Sequence, residues 1–542
     1  MMIKNIYFIG IGGIGMSALA RYFLHKGAHV AGYDLTETPL TKALAKEGAA
    51  IHYADDPALI PPGFRDPATT TVVYTPAVPS DHRELTWFRE GGFMIAKRAE
   101  ILGIISRDHF TMAVAGTHGK TTVTTLTAWL NRVLYDGESG SGGNGSCKDR
   151  GNGGGSAFLG GISKNFDSNL VLGKDDRLVV EADELSPSQD ASTACGDGRR
   201  SVDELAWQGR PRLVVEADEY DRSFLRLSPD VAVITSADAD HLDIYGTHEA
   251  VKEAFSQFVG RISPTGAVIV NKKADVAIPG GTLAKYSYSL DDPETDFYAA
   301  NIHVLPSGHY TFDIATPDGL IEKCTLGITG KINVENSVAA VALMWAAAKL
   351  REEPLDEAKL RSGLADFSGV KRRFDIHVNT PPAVYMDDYA HHPDELRAAL
   401  TSLRAMFPGR RITAVFQPHL YSRTRDFAAG FAEALSNADE LILTPIYPAR
   451  EEPIPGVDSG TIGALVKNIP WCVVAKEGLA DAIAARDTDV VVTFGAGNID
   501  NHVAEIARVV SRKAATVGEE AAGKETVEKL GKFESQSSGQ SD

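Results

Sequence analysis

Cysteine is scarce in this chain. Cys147, Cys195, Cys324 and Cys472 are the whole supply in 542 residues, and no two of them form a C-x-x-C pair. Neither a zinc site nor a disulfide framework fits such scatter, and a reducing cytoplasm is the expected setting. Basic residues are also short, with 54 Lys and Arg against 72 Asp and Glu and a net charge of -18. A general nucleic-acid binder needs a clustered basic surface to neutralise phosphates, so no nucleic-acid partner is expected. No apolar run reaches the length of a membrane span. The opening MMIKNIYFIG runs straight into glycines without the basic, apolar and cleavage segments of an export signal. The expectation is a protein that neither crosses a membrane nor is exported; its oligomeric state is not legible.

What the chain does have is ordinary globular composition, 43% hydrophobic and 23% charged, and length enough for three or four domains. Strand, turn and helix patterns alternate. A short apolar run, Ile6 to Ile9, leads into a glycine cluster and a helical stretch from Met16 to His25, and a strand from His29 to Tyr33 follows. A second such unit starts with Phe110 to Ala115 and a helix from Thr121 to Val133. Strands are expected again at Leu213 to Glu216 and Val231 to Thr235. The pattern restarts near Arg373 with Ala383 to Met386, a helix over Pro393 to Met406, then Ile412 to Phe416, Glu440 to Leu443 and Asp489 to Phe494. This is an α/β chain of three successive domains: 1–107, 108–373 and 374–512, with 513–542 a polar tail.

Two inserts interrupt the middle domain. Residues 136–155 are mostly glycine and polar, too poor in apolar side chains to repay ordering. Residues 185–211 look similar. They separate two identical copies of RLVVEADE, at Arg177–Glu184 and Arg212–Glu219, and only one copy easily fills one place in a sheet. The second is favoured as functional, because the downstream sequence continues from it.

The segment Gly116-Thr117-His118-Gly119-Lys120-Thr121-Thr122 reads as a phosphate-cradling loop. Val114 stands where the first glycine of G-x-x-x-x-G-K-[ST] belongs, but Gly119, Lys120 and Thr121 lie between a β-rich run and a helix, the context the motif requires. Backbone N–H groups at the helix start cradle phosphates, Lys120 offsets their charge, and the Thr121 hydroxyl is suited to Mg2+. Magnesium also needs a carboxylate, and Glu216, at the end of its strand, is the candidate. His241, after the next strand, would also lie at a strand's C-terminal edge. The N-terminal pattern Gly10-x-Gly12-x-x-Gly15, followed by Asp34 at the end of the second strand, taken alone favours a dinucleotide.

Taken together, GIGGIGMSALA at Gly10–Ala20, AVAGTHGKTT, VVEADEYDRSF, DADHLDIYGT, DDYAHHPDE, FQPHLYSRTRDF, YPAREEPIPGVDS and GAGNID resemble, in order, the Mur ligases of cell-wall synthesis. The resemblance spans nearly the whole chain. It implies a Rossmann-like UDP-sugar domain, a central P-loop ATPase domain and a C-terminal Rossmann-like amino-acid domain. It also implies ATP and Mg2+ as cofactors, with UDP-N-acetylmuramate and L-alanine as substrates joined through an acyl phosphate. The glycine loop then faces a UDP diphosphate, with Gly10, Gly12, Gly13, Gly15, Met16, Ser17, Asp34 and Arg98 as sugar-nucleotide contacts.

The same resemblance makes His241 a second metal or substrate contact. It brings Asn333 and Asn336 to the nucleotide, against a plain helix-capping role, although Ile332 stands where a histidine is usual. It gives Arg373, one of the pair Arg372 and Arg373, to ATP, the other being solvated. Tyr389, His391 and His392 would close over ATP and alanine. His419 and Arg423 would hold the alanine carboxylate, with Leu420 in place of a usual arginine. The implied catalytic set is Lys120, His241, Arg373 and His391. Two alternatives stay open: a related ligase that recycles a whole tripeptide, and a silent nucleotide-binding homologue; folylpolyglutamate synthases share the ATPase core but lack this N-terminal domain.

Overall fold

The computed structural model describes residues 4–75, 78–79, 81–135, 155–173, 210–238, 242–305, 307–449 and 451–515. The first RLVVEADE copy, His241, nearly all of both inserts and nearly all of the tail lie outside these residues. Two compact units emerge. One is built from residues up to 328 with 333–370, the other from 329–332 and 371 onwards.

The first unit opens with β1 (Asn5–Ile9), β2 (His29–Tyr33), β3 (Ala50–His52), β4 (Thr70–Tyr74) and β5 (Met94–Lys97). They form a parallel sheet in the order β3-β2-β1-β4-β5. Strand order reverses between β1 and β4, and such a switch point leaves a crevice at the carboxyl ends of the strands. The glycine turn after β1 enters the helix Ile14–His25 at that edge.

A seven-stranded sheet follows, made from β6 (Phe110–Ala115), β7 (Ser156–Ser163), β8 (Ser168–Val171), β9 (Arg212–Glu216), β10 (Val231–Ile234), β11 (Ala267–Asn271) and β12 (Ala284–Tyr288). Its order is β12-β11-β10-β6-β9-β7-β8, and only β7 with β8 runs antiparallel. The second RLVVEADE copy supplies β9, paired directly to β6 with Val114 opposite Glu216. Every residue of β6 is buried, as expected of a strand covered on both faces. The helix Lys331–Arg351, apolar nearly all round, is buried from Asn333 to Ala348. An antiparallel meander, β13 (Tyr298–Val304), β14 (Tyr310–Thr316) and β15 (Gly319–Thr325), completes this unit.

The second unit holds β16 (Asp375–Asn379), β17 (Val384–Asp388), β18 (Ile412–Phe416), β19 (Glu440–Leu443), β20 (Trp471–Val473) and β21 (Val490–Phe494), ordered β16-β17-β21-β18-β19-β20. All pairs but β16 with β17 are parallel. Its helix Pro393–Met406 starts where the sequence says it should: Pro393 takes the first position, and His392 and Glu395 form a capping box.

Candidate active site

The phosphate loop leaves β6 and enters the helix Lys120–Tyr135. Gly116 and Gly119 have φ of 136° and 80°, and a Cβ on Gly116 would stand 2.1 Å from Thr235 Oγ1, so the tight turn requires glycine there. Residues just beyond β10 brace the loop. Ser236 Oγ accepts from His118 N at 2.8 Å and pairs with Thr117 Oγ1 at 2.8 Å, while Asp238 N donates to Thr117 Oγ1 at 3.1 Å. Thr235 Oγ1 donates to the His118 carbonyl.

Lys120 Nζ donates to Gly116 O at 2.7 Å, to Glu219 Oε1 at 2.8 Å and, more weakly, to Thr117 O at 3.4 Å. Burial works against its charge, but Glu219, Glu216 and Asp218 outweigh burial and raise its pKa, so the ammonium stays charged. Thr121 Oγ1 donates to Glu216 Oε1 at 3.1 Å, and Gly160 N donates to Glu216 Oε2 at 3.1 Å. A Cβ on Gly160 would overlap that carboxylate at 2.1 Å. Thr121 and Glu216 are the hard oxygen donors Mg2+ prefers, and such a site is completed by substrate phosphates and water rather than by a protein cage. Among the described residues, no group of three or more His, Cys, Asp or Glu is arranged to hold a metal ion by itself.

The N-terminal glycine turn opens onto a cleft of about 340 Å3, lined by Gly13, Gly15 and Met16 together with Arg98, Gly160, Glu216 and Asp218, and Glu216 ties that cleft to Thr121 of the phosphate loop. Arg98 Nη2 donates to Asp218 Oδ2 at 3.0 Å, and a Cβ on Gly15 would stand 2.8 Å from the Arg98 guanidinium. Other N-terminal candidates are placed differently. Asp34 shapes the glycine turn itself, accepting Gly12 N at 2.7 Å and Thr36 N at 3.2 Å. Ser17 is fully buried and bonded to Ile14 O and Asn169 Nδ2. Asn333 and Asn336 lie inside their helix, not at its cap, and bond to each other at 3.0 Å. Asn336 Oδ1 would sit 2.9 Å from a Cβ on Gly119, so Asn336 abuts the phosphate loop, with Asn333 behind it as its hydrogen-bond partner.

In the second unit neither arginine of the Arg372-Arg373 pair is simply solvated. Arg372 Nε donates to buried Asp387 at 3.2 Å and Nη2 to Gly495 O at 2.5 Å, structural bonds within the unit. Arg373 lies over the Tyr389 ring at 4.8 Å. Asp388 accepts Phe374 N and Ala390 N, both at 2.7 Å. Burial pushes its carboxyl up to about 6, against the pull of Arg373 and these bonds. His391 packs edge-on to both Tyr389 and His419, and His419 stacks on Tyr447. Arg423 sits in the first turn of the helix Tyr421–Leu435, where Glu451 accepts from Ser422 N at 2.9 Å.

Sequence reasoning passed over Gly160, Asp218, Glu219, Ser236 and Asp238. Asp218 and Glu219 were in plain view in VVEADEYD. Gly160 carries no motif, and its place beside Glu216 depends on β7 pairing with β9.

Three families match the chain in order: the Mur ligase catalytic domain over residues 5–110, the Mur ligase middle domain over 200–344, and the Mur ligase glutamate ligase domain over 372–497. The chain is 44% identical to UDP-N-acetylmuramate–L-alanine ligase of Phocaeicola vulgatus over 514 residues, covering 94% of this chain and 99% of that one. It is 45% identical to the ligase of the same name from Parabacteroides distasonis, covering 94% and 98%. The crystal structure of UDP-N-acetylmuramate-alanine ligase from Thermotoga maritima superimposes with a TM-score of 0.70 at 25% identity, over 94% of this chain and 99% of that one. A murein peptide ligase from Psychrobacter arcticus shares the fold, with a TM-score of 0.61 at 21% identity over 94% and 98%. With motifs, domain order and full-length similarity in agreement, the chain belongs to the Mur ligase family, in its UDP-N-acetylmuramate–L-alanine ligase branch.

Proposed function

We propose that this chain is an ATP-dependent ligase that joins L-alanine to the lactyl carboxylate of UDP-N-acetylmuramate in the cytoplasm, with domain boundaries near residues 107 and 373. The observation that carries the reading is the cleft in which the N-terminal glycine turn and Arg98 face Glu216 beside the phosphate loop. A carboxylate is a poor electrophile with a poor leaving group, so it must first be activated. Its oxygen attacks the γ-phosphorus of ATP, ADP departs, and an acyl phosphate results. The amine of alanine then attacks the acyl carbon, and the tetrahedral intermediate collapses with loss of phosphate and a proton.

Such chemistry needs positioning and charge neutralisation more than covalent help from the protein. Lys120 and the loop N–H groups of Gly116 to Thr122 supply these on the ATP side. Thr121 and Glu216, with His241 as the further candidate, would hold Mg2+, which when bound supplies charge neutralisation at the phosphates. The electrostatics support a metal requirement: Lys120 and Arg98 face Glu216, Asp218 and Glu219, so the pocket alone does not offset a triphosphate. Asn333, Asn336, Arg373 and Tyr389 are the proposed nucleotide contacts. Gly10, Gly12, Gly13, Gly15 and Met16 form the proposed sugar-nucleotide turn, with Asp34 shaping it and Ser17 packing behind it. His391, His419 and Arg423 form the amino-acid side, where a guanidinium suits bidentate pairing with the alanine carboxylate.

The acyl-phosphate route has a direct test. With 18O in both carboxylate oxygens of UDP-N-acetylmuramate, one labelled oxygen should appear in the phosphate released, read by mass spectrometry. Unlabelled phosphate accompanying alanyl product would rule the route out.

A further inference from the structure

We infer that Glu219 is a positioning residue, the fixed carboxylate that aims Lys120 at the transferring phosphoryl group. The inference rests on the reading of Lys120 as the phosphate-loop lysine and goes beyond it, since that reading gives the acidic work to Glu216 alone.

A lysine side chain is a flexible stem ending in three rotatable donors, and left to itself it samples many positions. Here the three donors meet three acceptors: the Gly116 and Thr117 carbonyls and Glu219 Oε1. The longest bond, to Thr117 at 3.4 Å, is the one a phosphate oxygen displaces most readily. Glu219 does not yield so easily. It is 1% exposed, and leaving a buried carboxylate unpaired is strongly unfavourable.

The backbone that carries Glu219 is also pinned. Glu219 O accepts from Tyr245 Oη at 2.6 Å and from Arg222 N at 2.9 Å, and Phe224 N donates to Asp218 O at 2.9 Å. Asp221 and Arg222 follow in left-handed conformation, with φ of 52° and 55°, which non-glycine residues adopt only where surrounding structure holds them. The adjacent Asp218 and Asp221 are tied to Arg98 and Lys97. Glu219 is thus a rigid abutment behind Lys120, and in phosphoryl transfer a misplacement of about 1 Å can cost on the order of 100-fold.

The test compares Glu219→Gln with the wild type in the full ligase assay, in otherwise native protein and in a Lys120→Met background. Glu219→Gln keeps the shape and an acceptor oxygen but removes the charge that fixes the lysine. We expect kcat to fall about 10- to 100-fold, while the KM for ATP does not rise, because one negative charge has left the phosphate pocket; the thermal midpoint drops, since buried Lys120 loses its counter-charge, and the kinetics are read well below it. In the Lys120→Met background the same change should cost no more than about twofold. Retention of kcat within about twofold, or an equal loss in both backgrounds, overturns the inference. If the Gln variant does not fold, Glu219→Asp, which keeps the charge but shortens the reach, is judged by the same criteria. A wild type that releases no phosphate from ATP overturns the underlying reading as well; an active wild type with unaffected variants overturns only the role of Glu219.

Discussion

Gly160 shows how one residue can matter without bearing any chemistry. Its N–H holds one oxygen of Glu216 while Thr121 holds the other, and a methyl group there would occupy the carboxylate's own volume. Gly160→Ala should therefore lower kcat by about 100-fold or more while shifting the thermal midpoint by no more than a few degrees; turnover within a few-fold of wild type would contradict this. Arg423→Lys replaces a planar fork by a point charge, and the KM for L-alanine should rise about tenfold or more with the KM for ATP unmoved. An unchanged alanine KM would remove Arg423 from the site.

Glu84 tests the electrostatics of the first sheet. It is fully buried, hydrogen-bonded by Tyr7 Oη at 2.7 Å and 3.2 Å from His52 Nε2, and burial pushes its pKa up to about 7. A carboxyl whose folded pKa is raised binds its proton more tightly in the fold. Its contribution is therefore present below about 4.5 and is lost as pH rises through about 7. Half-buried His52 and buried His82 are shifted down, mainly by desolvation, which gives the opposite trend, so the comparison must be with a variant. Glu84→Gln should gain stability relative to the wild type between pH 5 and pH 8, by roughly 3 kcal/mol at most. A difference independent of pH in urea titrations would show that Glu84 does not titrate there.

At the scale of the element, the loop before the helix Tyr421–Leu435 carries the clearest strain. Leu420 adopts φ 68° and ψ 139°, held by its N–H to Tyr447 O at 2.9 Å and by its carbonyl, which accepts Thr424 Oγ1 at 2.7 Å. Leu420→Gly should relieve the Cβ penalty and, after the entropic cost of glycine, stabilise the protein by about 1 kcal/mol. Destabilisation of that size in urea unfolding would mean that the leucine side chain contributes more by packing than its backbone loses. Elements were the most legible level of this sequence. The buried parallel strands β2, β6, β18 and β19 and the capped helix Pro393–Met406 fall where periodicity and start signals put them. The meander β13 to β15 is covered on one face and irregular in register, so its pattern is too weak to announce itself.

Across the whole molecule, the legible part of the site was the part carried by contiguous motifs: the phosphate loop, the acid ending β9 and the glycine turn after β1. What stayed hidden depends on which strands become neighbours. Gly160 meets Glu216 only because β7 pairs with β9, and Ser236 braces the phosphate loop only because β10 pairs with β6. The RLVVEADE repeat left two strands competing for one place, and the described sheet holds the second copy beside Thr121. Asp34 is the opposite case, a residue easy to find by motif whose carboxylate is engaged in forming its own loop.

The central claim, that this chain joins free L-alanine to the carboxylate of UDP-N-acetylmuramate, is tested most directly by phosphate release from the purified protein given ATP, Mg2+ and UDP-N-acetylmuramate. The account predicts release that depends on added L-alanine, falls to a small residual rate in Lys120→Met, and is not supported when the L-alanyl tripeptide replaces alanine. Release driven by the tripeptide and not by alanine, or release indifferent to both, would contradict it.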